Sequence, residues 1–296
     1  MTTAVRGLSA LRAYMEMIKI EHSIFALPFA MVGMMWGSVS LGHGPWPGWW
    51  KFAWVVVAMV SCRSAAMAFN RISDRQIDAA NPRTRGRHIP AGILSLRHAS
   101  VFFWCSVGIF VLSAAMLNTL ALQLSPIALL VVLGYSATKR YTYLCHFILG
   151  LGLGIAPAAA WVGVTGSIGW PIVLLTVAVM FWTAGFDILY ALQDEEFDRT
   201  QGLRSIPADF GRVSAIRISR ASHVASVLFL TGAIFCVGSG FVAYIGVAVA
   251  AVLLAYEQSL VKPNDLGKID TAFFTMNGYV SIGVFAFILA DVVLRV

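Results

Sequence analysis

The chain alternates between long apolar runs and short polar segments, and the apolar runs set the predicted architecture. Each run is about 20 residues long, which is the length that an α-helix needs to cross the hydrocarbon core of a bilayer. A helix also satisfies its own backbone hydrogen bonds, as lipid requires. We therefore predict an all-α, polytopic membrane protein, a bundle of nine transmembrane helices at residues 24–42, 50–70, 99–117, 119–137, 144–164, 170–190, 219–241, 243–257 and 272–294.

Composition supports a membrane location for the whole chain. Of its 296 residues, 59% are hydrophobic and 12% are charged, and the mean hydropathy is +0.79. A soluble domain of this length would need more polar surface to cover itself. We expect a single membrane-embedded domain over residues 1–296, with a central cavity that opens toward the cytoplasm and laterally to lipid.

The basic residues predict the orientation of this bundle. With the N-terminus inside, all of the 21 Lys and Arg residues except Lys51 and Arg295 fall on one side. The positive-inside rule assigns that side to the cytoplasm. We predict a protein of the cell inner (plasma) membrane with a cytoplasmic N-terminus and active site. Because this bias explains the net charge of +7, no nucleic-acid partner is expected.

Two acidic segments, at the predicted cytoplasmic ends of the second and sixth spans, are the candidate functional sites. Ionisable groups at membrane depth are costly, so they indicate function. In the first segment, Asn70, Asp74 and Asp78 follow one another at i+4 steps and share one face of a helix. Two carboxylates one turn apart repel unless a cation lies between them, and Mg²⁺ prefers such oxygen ligands.

The second segment repeats this arrangement. Asp187, Asp194 and Asp198 lie at i, i+7 and i+11 on one predicted helical face, with Tyr190 beside them. One such segment alone is usually a solvated helix end or an ion pair, but two on the same side favour a metal site. Acid, metal, phosphate and arginine together are expected around a diphosphate. Arginines follow both segments: Arg83, Arg85 and Arg87 after the first, Arg199 and Arg204 after the second.

A weak internal repeat relates the two segments. Asp74 and Asp194 are 120 residues apart, as are Asp78 and Asp198, and an Ile-Pro-Ala sequence follows each pair at residues 89–91 and 206–208. We predict two pseudo-repeated halves, about 1–140 and 141–296, whose acidic segments face each other across one cavity.

At these residues the chain resembles the UbiA family of intramembrane aromatic prenyltransferases. The matching stretches are Asn70–Asp78, Arg83–Arg87, Tyr135–Tyr143 and Tyr190–Asp198, and the resemblance extends over nearly the whole chain. Within the family, the chain is most similar to the 4-hydroxybenzoate and menaquinone-pathway polyprenyltransferases. Arg71 stands where the ubiquinone enzymes often have Asp, and His88 where Pro is common, so the aromatic acceptor stays open.

The resemblance implies Mg²⁺-dependent transfer of a polyprenyl group from a diphosphate to a small aromatic acid, 4-hydroxybenzoate first, in ubiquinone or menaquinone biosynthesis. The metal ligands that it implies are Asn70, Asp74, Asp78, Asp194 and Asp198. The substrate-binding residues are Arg63, Asn70, Arg87, Tyr135, Lys139, Arg140 and Tyr190. The catalytic residues are Asp74, Asp187 and Asp194, with Asp187 as the group that activates the phenolic hydroxyl or takes the ring proton.

Several alternatives stay open at this point. Arg63 either binds the carboxylate of the acceptor or forms an ion pair with Asp187 or Asp194. The Lys139–Arg140 pair either contacts phosphate or only anchors the topology. The acceptor is alternatively hydroxynaphthoate, homogentisate, haem, chlorophyllide or a glycerol lipid. An ion-coupled transporter is the rival class of protein, although it favours charges at the membrane midplane and broken helices.

Overall fold

The computed structural model describes residues 8–18 and 23–295. Within these ranges the fold is helical, and the one extended pairing is an isolated bridge between Lys262 and Asp265. The predicted cytoplasmic N-terminus falls on residues outside this part of the chain. The all-α prediction is confirmed.

Twelve α-helices are found in the described residues, in addition to a 3₁₀ turn at Leu192–Asp194 and a π-helix at Thr271–Met276. Two of them, α4 (Arg75–Ala80) and α9 (Glu195–Thr200), are six residues long and carry the ends of the acidic segments. In chain order the helices are α1 (Leu8–Met17), α2 (Ser23–Ser40), α3 (Trp49–Ser73), α4 (Arg75–Ala80), α5 (Leu96–Leu117), α6 (Thr119–Thr138), α7 (Cys145–Thr165), α8 (Trp170–Ala191), α9 (Glu195–Thr200), α10 (Ile206–Val237), α11 (Phe241–Leu260) and α12 (Asn277–Arg295).

Eight helical segments of the described chain are long and apolar enough to cross a membrane, and Phe25–Ser40 within α2 is a shorter apolar helix. The polytopic class is therefore confirmed, whereas the count of nine spans stays a prediction. The largest difference in bounds is at α10, which begins at Ile206 and not near residue 219. The Ser205 side chain caps its start by accepting a hydrogen bond from the Ala208 amide, and Pro207 suits the first helical turn. Gly211, with φ 75°, then interrupts the helix.

Helix α8 is the centre of the bundle. It packs extensively against α7 and α10, and Leu175, Trp182 and Ile188 along it are fully or almost fully buried. The Trp182 ring lies 5.1 Å from the ring of Phe29 on α2, measured between centroids. Because α8 carries the second acidic segment at its C-terminal end, this packing fixes the position of that segment.

The end of the bundle opposite the acids has the features of a membrane interface. Trp49, Trp50 and Trp170 begin α3 and α8 there and are exposed, and exposed tryptophans are typical of the boundary between lipid and water. Lys51, in the first turns of α3 at this end, donates hydrogen bonds of 2.8 and 2.9 Å to the carbonyls of Leu117 and Gly163. Its charge is thus used to cap the ends of α5 and α7.

Glycines allow α7 to approach its neighbours closely. A Cβ atom placed on Gly150 would lie 2.3 Å from the carbonyl oxygen of Met180 on α8, and one on Gly154 would lie 2.5 Å from that of Thr176. Small residues at such positions are characteristic of helix pairs in membranes. The close contact brings the start of α7 against the C-terminal half of α8.

We predict that Gly150→Ala destabilises the protein by about 1–3 kcal/mol, because a backbone carbonyl cannot move away as a flexible side chain can. The matched control is Gly134→Ala on α6, where a Cβ meets no atom within 4 Å and alanine favours the helix. Thermal unfolding in detergent measures both variants. A Gly150→Ala protein as stable as the control would contradict the close approach of α7 and α8.

Candidate active site

A cavity of about 1140 Å³ lies within the bundle. Most of its lining is apolar and comes from α2, α3, α6, α7 and α8. Polar and charged residues at one end of the lining include Arg63, Asn70, Arg71, Arg83, Arg87, Tyr135, Asp187 and Tyr190. The cavity therefore joins an apolar chamber to a charged end.

Both acidic segments share a local geometry that the continuous-helix prediction missed. Helix α3 ends at Ser73, Asp74 takes φ −93° and ψ 7°, and α4 follows. In the second segment, Asp194 takes φ −102° and ψ 3°, and α9 follows. The prediction that each set of acids projects from one unbroken helix was wrong. The break occurs where a helix that leaves the apolar core must turn to bury its acids.

The second aspartate of each pair is the more buried one. Asp78 and Asp198 both lie in the first turn of a six-residue helix, and their exposures are 4% and 0%. Asp78 forms a 2.7 Å ion pair with Arg87. Asp198 forms a 2.8 Å ion pair with Lys139 and accepts a 3.0 Å hydrogen bond from the Ser205 hydroxyl. Each buried charge is thus compensated, as burial requires.

Asp74 and Asp194 are likewise paired with cations. Asp74 contacts Arg140 at 2.9 Å and accepts a 2.7 Å hydrogen bond from the Asn70 amide. Burial raises the pKa of the Asp74 carboxyl above its ordinary value, and the Arg140 charge partly opposes this rise. Asp194 accepts a two-pronged contact from Arg83, with the Nε–Oδ1 distance at 2.9 Å.

These contacts join the two acidic segments into one site. Arg83 and Asn81, which follow α4, both donate to Asp194 at the end of α8, the latter at 3.1 Å. Lys139 and Arg140, adjacent at the end of α6, divide between Asp198 and Asp74. Partial burial lowers the pKa of Arg83, but the hydrogen bonds to Asp194 and the attraction of nearby negative charge together outweigh it, so the pKa of Arg83 is raised.

In the described structure each of these four acids contacts its own arginine or lysine, and a metal ion between neighbouring acids stays a prediction. Within residues 8–18 and 23–295, no three acidic, histidine or cysteine side chains are grouped closely enough to hold a metal ion by themselves. The oxygen donors still fit a hard divalent cation. Asp78 Oδ2 is buried and has no hydrogen-bond partner in the described structure, and such an atom is suited to a metal or a ligand.

Asp187 lines the cavity but lies apart from the paired acids. Its Oδ2 atom is 2.7 Å from Nδ1 of His146, the second residue of α7. Asp187 is thus bound to a neighbouring helix by a residue that the sequence analysis did not single out.

The remaining predicted site residues lie around the same end of the cavity. Arg63 lines it. Of the two acids predicted as its alternative ion-pair partners, Asp187 contacts His146 and Asp194 contacts Arg83. Tyr135 also lines it. The Tyr190 ring lies 5.4 Å from the Arg83 guanidinium and 4.2 Å from the ring of Phe273 in the π-helix.

Two of the arginines predicted to face a phosphate are used elsewhere. Arg199 pairs with Glu195 at 3.0 Å, and Arg204 pairs with Asp209 at 2.8 Å. The Ile-Pro-Ala match is not structural either, because residues 89–91 form turns whereas Ile206 begins α10. The shared feature of the two segments is the break at the first aspartate.

Sequence reasoning missed Asn81, His146 and Ser205. Asn81 precedes a proline directly after the acidic segment, a pattern that marks a turn. His146 is a single histidine in an otherwise apolar run, and this isolated polar residue was the signal that could have marked it as functional. Ser205 gave no signal apart from its place before Ile206-Pro207.

The fold and the site define a polytopic membrane protein in which paired acids and cations close one end of an apolar cavity. Residues 28–279 match the UbiA prenyltransferase family. The chain belongs to this family and is a prenyltransferase, so the resemblance expected from its motifs is confirmed.

Curated relatives match along nearly the full length of the chain. The 4-hydroxybenzoate octaprenyltransferase of Vibrio campbellii is 29% identical over 273 residues, covering 92% of this chain and 94% of the relative. The enzyme of the same name from Vibrio cholerae serotype O1 is 30% identical over 293 residues, covering 98% and 99%.

Solved structures share the fold. A UbiA homologue from Aeropyrum pernix K1, in its apo form, has a TM-score of 0.82 at 36% identity and covers 92% of this chain and 98% of that one. A UbiA homologue from Archaeoglobus fulgidus, bound to DMAPP and Mg²⁺, has a TM-score of 0.69 at 18% identity, with coverages of 95% and 99%.

We predict that Lys139→Met destabilises the protein by about 3–5 kcal/mol, because it leaves the fully buried Asp198 carboxylate without its cation. The control is Arg199→Met. Arg199 is exposed, and its partner Glu195 keeps a second contact to Arg212 at 2.6 Å, so no measurable change is expected. Thermal unfolding in detergent without added metal compares the two. Equal loss in both variants would show that Asp198 does not depend on Lys139.

Proposed function

We propose that this protein transfers a polyprenyl group from an allylic diphosphate to 4-hydroxybenzoate, with Mg²⁺ held by the two acidic segments. The observation that carries the proposal is the joining of both acid pairs, through cations from different parts of the chain, at the charged end of one apolar cavity. A diphosphate needs that charge, and a polyprenyl tail needs that apolar space.

The proposed metal ligands are Asp74, Asp78, Asp194 and Asp198, with Asn70 as an additional oxygen donor. Mg²⁺ usually takes one or two carboxylates and completes its coordination with water and phosphate oxygens. The absence of a three-residue metal group in the described chain agrees with a site that is completed by the substrate. When bound, the metal neutralises charge on the leaving diphosphate.

The cations provide the protein side of diphosphate binding. In the described structure Arg87 contacts Asp78 and Lys139 contacts Asp198. We propose that both cations, together with Tyr135, bind the diphosphate oxygens of the substrate. Arg140 and Tyr190 complete this polar end. Arginine and lysine form strong, charge-assisted hydrogen bonds to phosphate. Because these side chains are already in position before the reaction begins, they stabilise the negative charge that the leaving diphosphate gains.

The apolar lining protects the allylic cation that forms when the diphosphate leaves. Phe25, Phe186 and Phe273 line the cavity next to Asp187 and Tyr190. Their ring centroids lie within 5.3–5.9 Å of one another. Walls of this kind exclude water, which would otherwise capture the cation.

The acceptor is proposed as 4-hydroxybenzoate because the curated relatives that match over almost the whole chain carry this substrate in their names. Arg63, which lines the cavity on the same helix as Asn70, is assigned to its carboxylate. Asp187 is assigned to its hydroxyl or ring proton. Hydroxynaphthoate, homogentisate and haem are the acceptors to be tested against it, and the product would enter ubiquinone or menaquinone biosynthesis accordingly.

The membrane context is proposed from charge and from the exposed apolar surface. The site lies on the side that carries nearly all of the Lys and Arg residues, which the positive-inside rule assigns to the cytoplasm. We propose an inner-membrane enzyme whose cavity opens toward the cytoplasm and laterally to lipid, so that the prenyl tail stays in hydrocarbon. The matching breaks at Asp74 and Asp194 support two pseudo-repeated halves in one domain.

Replacing one aspartate in either acidic segment is expected to stop prenyl transfer. Asp74→Ala and Asp194→Ala should lower turnover by about a hundredfold or more, because each removes charge that stabilises the leaving group. Glu196→Ala is the matched control, since Glu196 lies in the second segment and is exposed. Transfer of labelled prenyl diphosphate in membranes, measured with EDTA and then with restored Mg²⁺, reports the result. Full activity of either aspartate variant, or activity in metal-free buffer, would reject the metal roles.

A panel of acceptors tests the assigned substrate. With one labelled prenyl diphosphate, 4-hydroxybenzoate should give the highest kcat/KM, and Arg63→Leu should raise the KM for this acid at least tenfold because the carboxylate loses its charged partner. The same variant should change the KM for the diphosphate by less than about threefold. A naphthoate or a haem that reacts faster than 4-hydroxybenzoate would replace it in the proposal.

A further inference from the structure

Among the five site aspartates of the described chain, Asp187 contacts a buried histidine, whereas the other four contact an arginine or a lysine. His146 is 2% exposed and does not line the cavity, whereas Asp187 does. Their contact joins His146 Nδ1 to Asp187 Oδ2 at 2.7 Å. The Asp187 side chain keeps 23% exposure, so it contacts the histidine while remaining accessible from the cavity.

The backbone determines which nitrogen of the His146 ring carries the proton. The amide of Ile206, the first residue of α10, donates a hydrogen bond of 3.3 Å to His146 Nε2. An amide N–H can only donate, so Nε2 must present a lone pair. The proton of the neutral ring therefore lies on Nδ1, where it is donated to Asp187.

The His146 ring connects three helices. It belongs to α7, accepts from the first amide of α10 and donates to Asp187 on α8. The same α7 start is brought toward α8 by the close approach at Gly150. A ring held at both nitrogens has little freedom to turn, so it holds the Asp187 carboxylate in one orientation.

We propose that His146 is the positioning residue for Asp187 and keeps this carboxylate directed into the cavity as the proton acceptor of the transfer reaction. The inference rests on the proposed function and adds to it a residue that acts through Asp187. Because His146 Nε2 accepts from the Ile206 amide and Nδ1 donates to Asp187, the carboxylate and not the ring is the group that takes the proton from the acceptor.

The step balances as an aromatic substitution. The allylic C–O bond breaks, and its electron pair leaves with the diphosphate. A π-electron pair of the acceptor ring forms the new C–C bond, and the ring then loses the proton from that carbon to Asp187. The electrons of the broken C–H bond restore the aromatic ring. His146 keeps its own proton on Nδ1 throughout and stabilises the carboxylate before the transfer.

Four variants test this assignment: His146→Leu, His146→Asn, Asp187→Asn and the double variant His146→Leu/Asp187→Asn. Leucine removes the donor at similar size, whereas the asparagine amide can place an N–H near the position of Nδ1. His223→Leu is the matched control for losing a buried imidazole, because His223 is 4% exposed and contacts Gln258 of a neighbouring helix at 3.0 Å. Transfer kinetics are measured with intact, detergent-purified protein and Mg²⁺.

His146→Leu should lower kcat at least tenfold while the KM for the prenyl diphosphate changes by less than about threefold, and His146→Asn should recover most of the loss. In the Asp187→Asn background, His146→Leu should have no further effect, because residues that act as a unit are not additive. His223→Leu should leave kcat within about twofold. If adding His146→Leu to Asp187→Asn lowered kcat by a further factor as large as the one that His146→Leu causes alone, or if asparagine gave no recovery, the inference would be overturned.

The protonation state is checked without relying on the folding of any leucine variant. In protein labelled with ¹⁵N-histidine, the His146 resonances, assigned by their loss in His146→Asn, should show a protonated Nδ1 and an unprotonated Nε2. A proton on Nε2 would overturn the inference. Failure of the metal roles appears separately, as activity that survives Asp74→Ala or Asp194→Ala.

Discussion

The site depends on one constraint: a carboxylate that leaves water needs a cation close by. Asp78, Asp194 and Asp198 are buried, and each has an arginine or lysine in contact. The contact from Arg83 to Asp194 matters most for the architecture, since it joins the loop after the first acidic segment to the end of the second. Two segments far apart in sequence are thereby held as one polar end of an otherwise apolar cavity.

The same pairing prepares the site for its proposed substrate. In the described structure the acids and cations neutralise each other. A diphosphate with its divalent cations brings both kinds of partner: phosphate oxygens for the arginines and lysine, and metal for the carboxylates. Binding can then exchange one set of ion pairs for another at little net cost in charge, which is the kind of arrangement that preorganised catalysis requires. The apolar chamber contributes the complementary part by excluding water.

Much of this could be predicted from the sequence because the signals were strong. Apolar runs of membrane-spanning length gave the helical class, and the paired aspartates with their following arginines gave the site and the family. The breaks at Asp74 and Asp194 could not be predicted, because periodicity alone favours a continuous helix until packing requires a turn. The cation that pairs with each acid could not be predicted either. Lys139 contacts Asp198 and Arg140 contacts Asp74, and this choice depends on how three helix ends meet. His146 carried a signal, but its partner Asp187 follows 41 residues later.

The central claim is that both acidic segments bind one metal–diphosphate ligand. A crystal structure of this protein with Mn²⁺ and a non-hydrolysable prenyl diphosphate analogue tests it directly, because anomalous scattering locates the metal. The account predicts metal peaks at about 2.0–2.3 Å from carboxylate oxygens of both segments, with Arg87 and Lys139 moved from their acids to the phosphate oxygens. Metal bound at one segment alone, or a diphosphate that contacts neither, would contradict it.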